Sequence, residues 1–574
     1  METLSGTTAF LADRRDSAWP ERILAVLLAL YILGGIPAAS TFCKYHLDEA
    51  YYTDAALQMR ITGDYLTPRW DDGRPRFHKP IYTYWLVAAG FAAGGPGLLS
   101  ARLPFLFLGA SIVWLVFVLA RRVHGCGRTA LLAAVFLLSN LLFMDAAGHA
   151  LPDMLLLAGI AVSQFGFVHA ILLGRRGWPE YLCAYGGMGL AIGSKGLSGL
   201  LPLLHAVVYI AWMRRRSRQT DPTPPVFRML WHGPAIVAGA VLGLWWFAFA
   251  YARHGNEFLS GFWGDQFANK VANSRWLVNL PTYALFTFGS FFPWLALLLS
   301  RLRKSDGWKP LTGPGRACIG YALGFAALTM LVYVPGNITY ERYMLPALPL
   351  LAVALAGLLA PQGDAPGPAK SYAALFAVIA IPAVVLAAVL LVLARRQELP
   401  LLTSGGWLVA SGAVALWLVG RWRTSLAPVA LGAFLMLLTF VYENRVRPTY
   451  RTSPVPAMAE ALEARGVRQV QVVTWNKGLD SQLRVATGGT LEVSEGPVGD
   501  ARAHTGKRFT ILPEACKEQF PAEDFEQVRV GWRYERVNPR NLFAALMEGR
   551  ARPYLEERRE YFWLAERRDR RTAP

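Results

Sequence analysis

Apolar runs of bilayer length recur along the first 442 residues, and a soluble fold cannot bury so many. Hydropathy marks about thirteen, at roughly 23–42, 98–120, 128–148, 152–173, 180–194, 197–213, 232–252, 281–300, 317–336, 343–360, 371–394, 405–420 and 426–442. Those at 180–194 and 197–213 are short. The charged residues, 17% of the 574, are clumped between the runs, because charge is expensive in lipid. The first run, Ile23 to Phe42, follows the mixed charged segment Asp13 to Arg22. No small-residue cleavage pattern comes after it, so it reads as a retained span and not a signal peptide.

Basic residues sort the loops. One set holds Arg121, Arg122, Arg128, Arg175, Arg176, Arg214, Arg215, Arg216, Arg218, Arg228, Arg301, Arg303, Lys304, Lys309, Arg316, Lys370, Arg421 and Arg423. The alternate set is much poorer in Lys and Arg. By the positive-inside rule the first set and the N-terminus are cytoplasmic. An odd number of spans then places the C-terminal region outside. The net charge of +19 is accounted for by this orientation and by the anionic leaflet, so no nucleic acid is expected as a partner. The five cysteines, Cys43, Cys126, Cys183, Cys318 and Cys516, are scattered without a Cys-x-x-Cys pair, which argues against a disulfide framework or zinc cluster. Only Cys43 and Cys516 share an extramembrane side.

The same sorting gathers Asp48, Glu49, Lys79, His149, Asp153, Lys195, Asp265, Lys270 and Arg342 on the outer face. A long first outer loop, residues 43–97, dominates it. Glu49 to Ile61 lacks Gly and Pro and predicts a short interfacial helix. Gly63-Asp64-Tyr65 and Asp71-Asp72-Gly73-Arg74-Pro75 predict turns. Ile81 to Gly90, with Tyr82, Tyr84 and Trp85, predicts a second interfacial helix, since Tyr and Trp favour the headgroup level. The chain thus divides into a transmembrane domain, 1–442, and a polar, basic extramembrane domain, 443–574. In the latter, Val455 to Gly466 predicts a helix, and Gln469 to Val473, Arg508 to Leu512 and Gln527 to Tyr534 predict strands. About 130 residues suffice for one small α/β domain, expected as an accessory domain over the outer opening.

Several outer residues carry candidate chemistry, each beside a structural alternative. Asp48 and Glu49 are either a turn with a helix N-terminus, or a general base, metal ligand or acceptor-positioning group. Asp153, after Pro152, is good helix-opening chemistry or part of an acidic centre. His149 lies four residues before it and would share its face if the helix continued. Lys79 is a snorkelling anchor or a phosphate-binding point charge. Lys195, in Gly193-Ser194-Lys195-Gly196, binds a lipid phosphate or caps carbonyls. Arg342 can pair with a phosphate or with Glu341. A divalent metal at Asp48, Asp153, His78 or His149 has no diagnostic spacing.

The acidic pair after the first run, Lys79-Pro80, Asp153, Ser194-Lys195-Gly196 and Arg342-Tyr343-Met344-Leu345-Pro346 occur in that order. This ordered set resembles the GT-C glycosyltransferases that use polyprenyl-phosphate sugars. It is most similar to the bacterial aminoarabinose transferases of lipid A and their relatives, the protein O-mannosyltransferases. The resemblance covers about residues 20–360, together with the span count and the outer C-terminal domain. It implies a polytopic helical membrane protein of the bacterial inner membrane, with a periplasmic active site and C-terminal domain. It implies an undecaprenyl-phosphate sugar donor, a lipid or glycan acceptor such as lipid A or lipopolysaccharide, and a tentative divalent metal at His78 and Asp48. By the resemblance Asp48, Glu49 and Asp153 are catalytic, and Lys79, Lys195, Arg342 and Tyr343 hold the carrier phosphate. Tyr51 and His78 stand where the aminoarabinose transferases typically carry arginine and glutamate. A transporter of lipids or glycolipids is the competing class. Such proteins often show repeated halves with broken helices at mid-membrane, whereas here no internal repeat is evident and the polar residues gather at one mouth.

Overall fold

α1 (Trp19–Ser40) is a membrane-length helix of 22 residues opened by Pro20 in its first turn, and it begins the computed structural model. The model describes residues 18–217, 227–264, 276–303, 313–337, 339–360, 369–422, 426–474, 478–498 and 507–568. Asp265 and Lys270, expected on the outer face, lie outside these residues. So do Arg218, Lys304, Lys309 and Arg423 of the basic loops.

After α1 the first loop holds α2 (Ala50–Thr62) and α3 (Tyr82–Gly94). Each has 13 residues, too few to span a bilayer, as the sequence predicts for interfacial helices. Gly63, at φ +72°, ends α2 and returns its N–H to Met59. The membrane domain continues through α4 (Leu98–His124), α5 (Gly127–Leu138), α6 (Leu141–Ala147), α7 (Pro152–Ile171), α8 (Trp178–Lys195), α9 (Leu201–Ser217) and α10 (Gly233–Trp263). It is completed by α11 (Trp276–Ala284), α12 (Trp294–Arg303), α13 (Gly313–Tyr333), α14 (Leu348–Leu359), α15 (Ala369–Arg396), α16 (Pro400–Trp422) and α17 (Ala427–Val441).

Among the described residues ten helical stretches are long and apolar enough to cross a membrane, or twelve if each of two bent pairs is one span. The thirteen expected runs all fall on these stretches. Two of the expected runs fall in one helical stretch of 39 residues, Trp178–Arg216. That stretch is interrupted at Gly196, whose φ of +73° ends α8 before a 3-10 turn leads into α9. The runs at 128–148 and 281–300 are bent, by 67° and 92° respectively.

α7 and the stretch Glu341–Leu359 are the central spans, each 83% buried in protein over its apolar window, whereas α15 is only 17% buried and faces lipid. α7 and α8 pack at backbone contact. A Cβ on Gly187 would stand 2.5 Å from Ser163 N, and one on Gly159 would stand 2.7 Å from Ala191 N. Small residues permit such an approach in membranes, where dispersion contacts rather than the hydrophobic effect hold helices together. The pairing sets the start of α7 beside the end of α8, and so Asp153 beside Lys195.

The C-terminal domain contains α18 (Val455–Ala464), α19 (Leu479–Ala486), α20 (Pro539–Met547) and α21 (Ala551–Glu556). Its strands are β1 (Gln469–Thr474), β2 (Glu492–Pro497), β3 (Phe509–Pro513), β4 (Phe525–Tyr534) and β5 (Arg559–Arg567). They form one mixed sheet in the order β2-β1-β3-β5-β4. β1 runs parallel to both neighbours, with Val472 opposite Glu495 and Ile511; β5 is antiparallel to β3 and β4. β1, β3 and β4 were legible in the sequence, whereas β2, with Gly496 and Pro497 at its end, and β5 were not. The domain docks on the first loop. Tyr45 Oη lies 3.1 Å from Ser481 Oγ, and Arg484 grips Asp54 of α2 through two 3.2 Å hydrogen bonds. Cys43 and Cys516 are both free thiols.

Candidate active site

The segment after α1 is shaped by a closed turn. His46 Nδ1 accepts from Asp48 N at 3.1 Å, and the Glu49 carboxylate accepts from His46 N at 2.9 Å. Each side chain thus satisfies a backbone N–H that the 3-10 turn Leu47–Glu49 leaves open. Burial holds the His46 imidazole below its ordinary range, against the opposing pull of Asp48, and so keeps a lone pair on Nδ1.

Glu49 is wholly enclosed. Arg102, from α4, grips it with Nε at 2.8 Å and Nη2 at 2.7 Å. Ala150 N donates to it at 2.7 Å, and His149 Nδ1 lies 3.3 Å away. Burial pushes the Glu49 carboxyl up, but Arg102 and His149 outweigh it and hold the group well below the usual carboxylate range. The remaining Arg102 donors go to the carbonyls of Ala38, Ala39, Thr41 and Lys44. The Glu49 carboxylate is 0% exposed and held on all sides by the scaffold, and it fixes the turn that carries Asp48. His149 likewise turns to Glu49. Pro152 begins α7 after it, so His149 and Asp153 do not share a helix face.

Four charged groups from four elements then alternate in sign. Arg342 Nη2 donates to Asp48 Oδ2 at 2.6 Å, and Arg342 Nε lies 3.9 Å from Asp153 Oδ2. Lys195 Nζ donates to Asp153 Oδ1 at 2.5 Å. Exposure is graded along the row. The Asp48 side chain is 37% exposed, that of Arg342 17% and that of Asp153 4%. Asp48 is the rim and Asp153 the floor. Arg342 pairs across the site and not with its neighbour Glu341, while Lys195 meets a carboxylate, a partner that neither sequence reading named. Among the described residues, Arg342 Nε is a buried donor with no hydrogen-bond acceptor.

An aromatic wall closes one side. The Tyr343 ring stacks on Tyr333 at 4.6 Å and 17°, with Lys195 Nζ 4.9 Å from its centroid. Tyr333 Oη donates to Ser198 Oγ at 2.8 Å. Lys79 acts electrostatically on Asp153 and donates to the carbonyl of His78 at 3.3 Å. His78 meets Trp70 edge-on at 5.4 Å. Among the described residues no three His, Cys, Asp or Glu side chains gather as metal ligands. Among these residues the tentative pair His78 and Asp48 gains no third His, Cys, Asp or Glu donor.

Arg102, His46, Tyr333 and Arg76 escaped the sequence reading. Arg76 is buried, with its guanidinium 4.7 Å from the Tyr51 ring and 4.9 Å from that of Trp70. The one signal for Arg102 was an arginine inside an apolar run, which in lipid implies a buried partner.

Residues 22–258 match the family model of dolichyl-phosphate-mannose-protein mannosyltransferase. The crystal structure of ArnT from Cupriavidus metallidurans bound to undecaprenyl phosphate superposes with a TM-score of 0.68 over 96% of this chain and 98% of that one, at 19% identity. The chain has the ArnT fold. A likeness in sequence covers part of the chain. The undecaprenyl phosphate-α-4-amino-4-deoxy-L-arabinose arabinosyl transferase of Pseudomonas aeruginosa PAO1 is 31% identical over 269 residues, 45% of this chain and 46% of that protein. An uncharacterised protein of Aquifex aeolicus is 26% identical over 55% of this chain and 59% of its own length. The chain thus spans about half the length of the curated relatives it matches. It is ArnT-like in fold along its whole length and aminoarabinose-transferase-like in sequence over part of it.

Proposed function

We propose that this protein is a membrane glycosyltransferase that moves a sugar from a polyprenyl-phosphate donor, of the undecaprenyl type, to an envelope acceptor. The observation that carries the reading is Arg342, shared by two carboxylates and holding a buried Nε–H without an acceptor among the described residues. A guanidinium so placed can take a phosphate oxygen, with Lys195 and Lys79 adding positive charge and Tyr343 forming the wall. In the reaction the bond between sugar C1 and the phosphate oxygen breaks, and a bond from the acceptor oxygen to C1 forms. The polyprenyl phosphate departs with the electron pair, and cations fixed beside it stabilise the charge it gains. Asp48, at the exposed rim, receives the proton of an acceptor hydroxyl or positions the acceptor; an acceptor phosphate would need no base. Asp153 on the floor holds Lys195 and Arg342 in place.

The acceptor proposed first is lipid A or another part of lipopolysaccharide, by likeness to the aminoarabinose transferases; a protein or glycan hydroxyl is second. The proposed setting is the bacterial inner membrane, with the N-terminus cytoplasmic and the site periplasmic. The sorting of basic loops supports it, as does the docking of the C-terminal domain on the first loop. The test is mass spectrometry of lipid A and envelope glycans from deletion and complemented cells. A sugar-sized mass lost on deletion and restored by the wild type but not by Asp48→Asn names sugar and acceptor together. An unchanged envelope under conditions that express the protein would overturn the reading.

A further inference from the structure

The C-terminal domain touches the membrane domain at a second place, away from the site. One face of α20 packs Leu542 and Leu546 into a cluster with Ala394 and Leu402, joined by Leu390, Leu393 and Leu399. These last residues are the closing turns of α15, the opening of α16 and the bend between them. Gln397 fastens the contact, donating to Leu546 O at 2.9 Å and accepting from Ala551 N at 2.7 Å. Arg552 pairs with Glu398.

α15 and α16 are consecutive membrane-length helices, so the bend at 397–399 lies at a membrane surface whichever way the chain is oriented. α20 rests on that bend and on the last turns of a span, and its height is thereby fixed at the acyl–headgroup boundary. Its other face is apolar and open. Phe543 is 45% exposed and Met547, one turn on, is 51% exposed. On α15, Val392, next in sequence to Leu393 of the cluster, is 50% exposed. Arg395 and Arg396 at the end of α15 and Arg540 on α20 are exposed, as is Glu548 beside Met547. Exposed apolar side chains on elements that also carry exposed arginines suit a leaflet of anionic phospholipid, with the acyl chains meeting Phe543 and Met547 and the phosphates meeting the guanidinium groups.

We propose that α20 is an interfacial anchor, seating the C-terminal domain on phospholipid of the adjacent leaflet through Phe543 and Met547. The contact would hold that domain at a set height over the first loop, independently of the Arg484 clamp on α2.

The test uses the full chain in phosphatidylglycerol nanodiscs with photoreactive p-benzoylphenylalanine at 543, at 547 or at 526. Glu526 is the exposed control. It lies eight residues along β4 from Tyr534, which packs at the membrane-side cluster, and so roughly 26 Å away at ~3.3 Å per residue. Phospholipid adducts at 543 and 547, and none at 526, are the expected result. Absence of lipid adducts at 543 and 547 would overturn the proposal, as would adducts of equal yield at 526 or cross-links there to a second copy of the chain.

Discussion

Asp48 and Glu49 are adjacent and identical in charge, yet they differ in every physical respect. Asp48 sits at the rim with one arginine, while Glu49 is sealed beneath it by Arg102, His149 and Ala150 N. Asp48→Asn keeps the shape of the turn and removes the charge. If Asp48 is the base, transfer falls roughly 10²–10⁴-fold with folded protein retained, as read by donor turnover beside the melting temperature in detergent. Arg102→Met should instead damage the fold. Breaking a fully buried pair from one side costs about 3–5 kcal/mol, seen as a lower melting midpoint and a lower membrane yield, with Glu49→Gln less severe. The pH dependence follows in sign. The folded carboxyl of Glu49 lies well below its ordinary value. Its contribution is therefore complete above the ordinary carboxylate range and lost as pH falls toward the folded value. The acidic pair was legible in the sequence. Which member faces substrate was not, because that depends on Arg102, brought in from α4.

At the scale of elements, α7 against α8 and α2 against α19 decide most. The glycines that let α7 and α8 touch also deliver Lys195 to Asp153. Gly187→Leu should separate the helices and lower activity together with the melting midpoint, whereas Lys195→Met should lower donor affinity with a smaller loss of melting midpoint, since Arg342 still faces Asp153. A donor titration unchanged by Lys195→Met would remove that lysine from the phosphate site. At the α2–α19 contact, Arg484 binds Asp54, Asp480 and Asp71 at once. Burial raises the Asp54 carboxyl from 3.8 to about 6, although Arg484 opposes it. A raised acid contributes stability that is complete below its unfolded value and is lost as pH rises through the folded one. Asp54→Asn should therefore flatten the melting-temperature profile between pH 3.8 and about 6; a slope equal to wild type would show that Asp54 does not titrate there. This window runs opposite to that of Glu49, so the two variants separate the contributions.

For the whole molecule, the C-terminal domain is tied to the membrane domain at several points. Glu443, just after α17, lies 3.6 Å from the buried Lys44 Nζ, four residues before Asp48, and Arg484 holds α2. Truncation after residue 442 removes both ties, and it should lower the melting midpoint and the transfer rate together; full activity in the truncated chain would make the domain a passive appendage. The sequence by itself determined that the chain is a helical membrane protein, because bilayer thickness imposes run length and basic residues cannot hide in lipid. It also marked the small C-terminal α/β domain, through a change in composition and period, and an ordered set of polar residues at one mouth. Those are local or compositional signals. Only the tertiary structure decided that Arg342 lies between Asp48 and Asp153, that Glu49 is sealed and that Lys195 pairs across two helices. Asp48 and Arg342 are 294 residues apart. No periodicity encodes such a meeting; it follows from which helix faces pack, and that is settled by small residues and buried polar partners distributed over the whole chain.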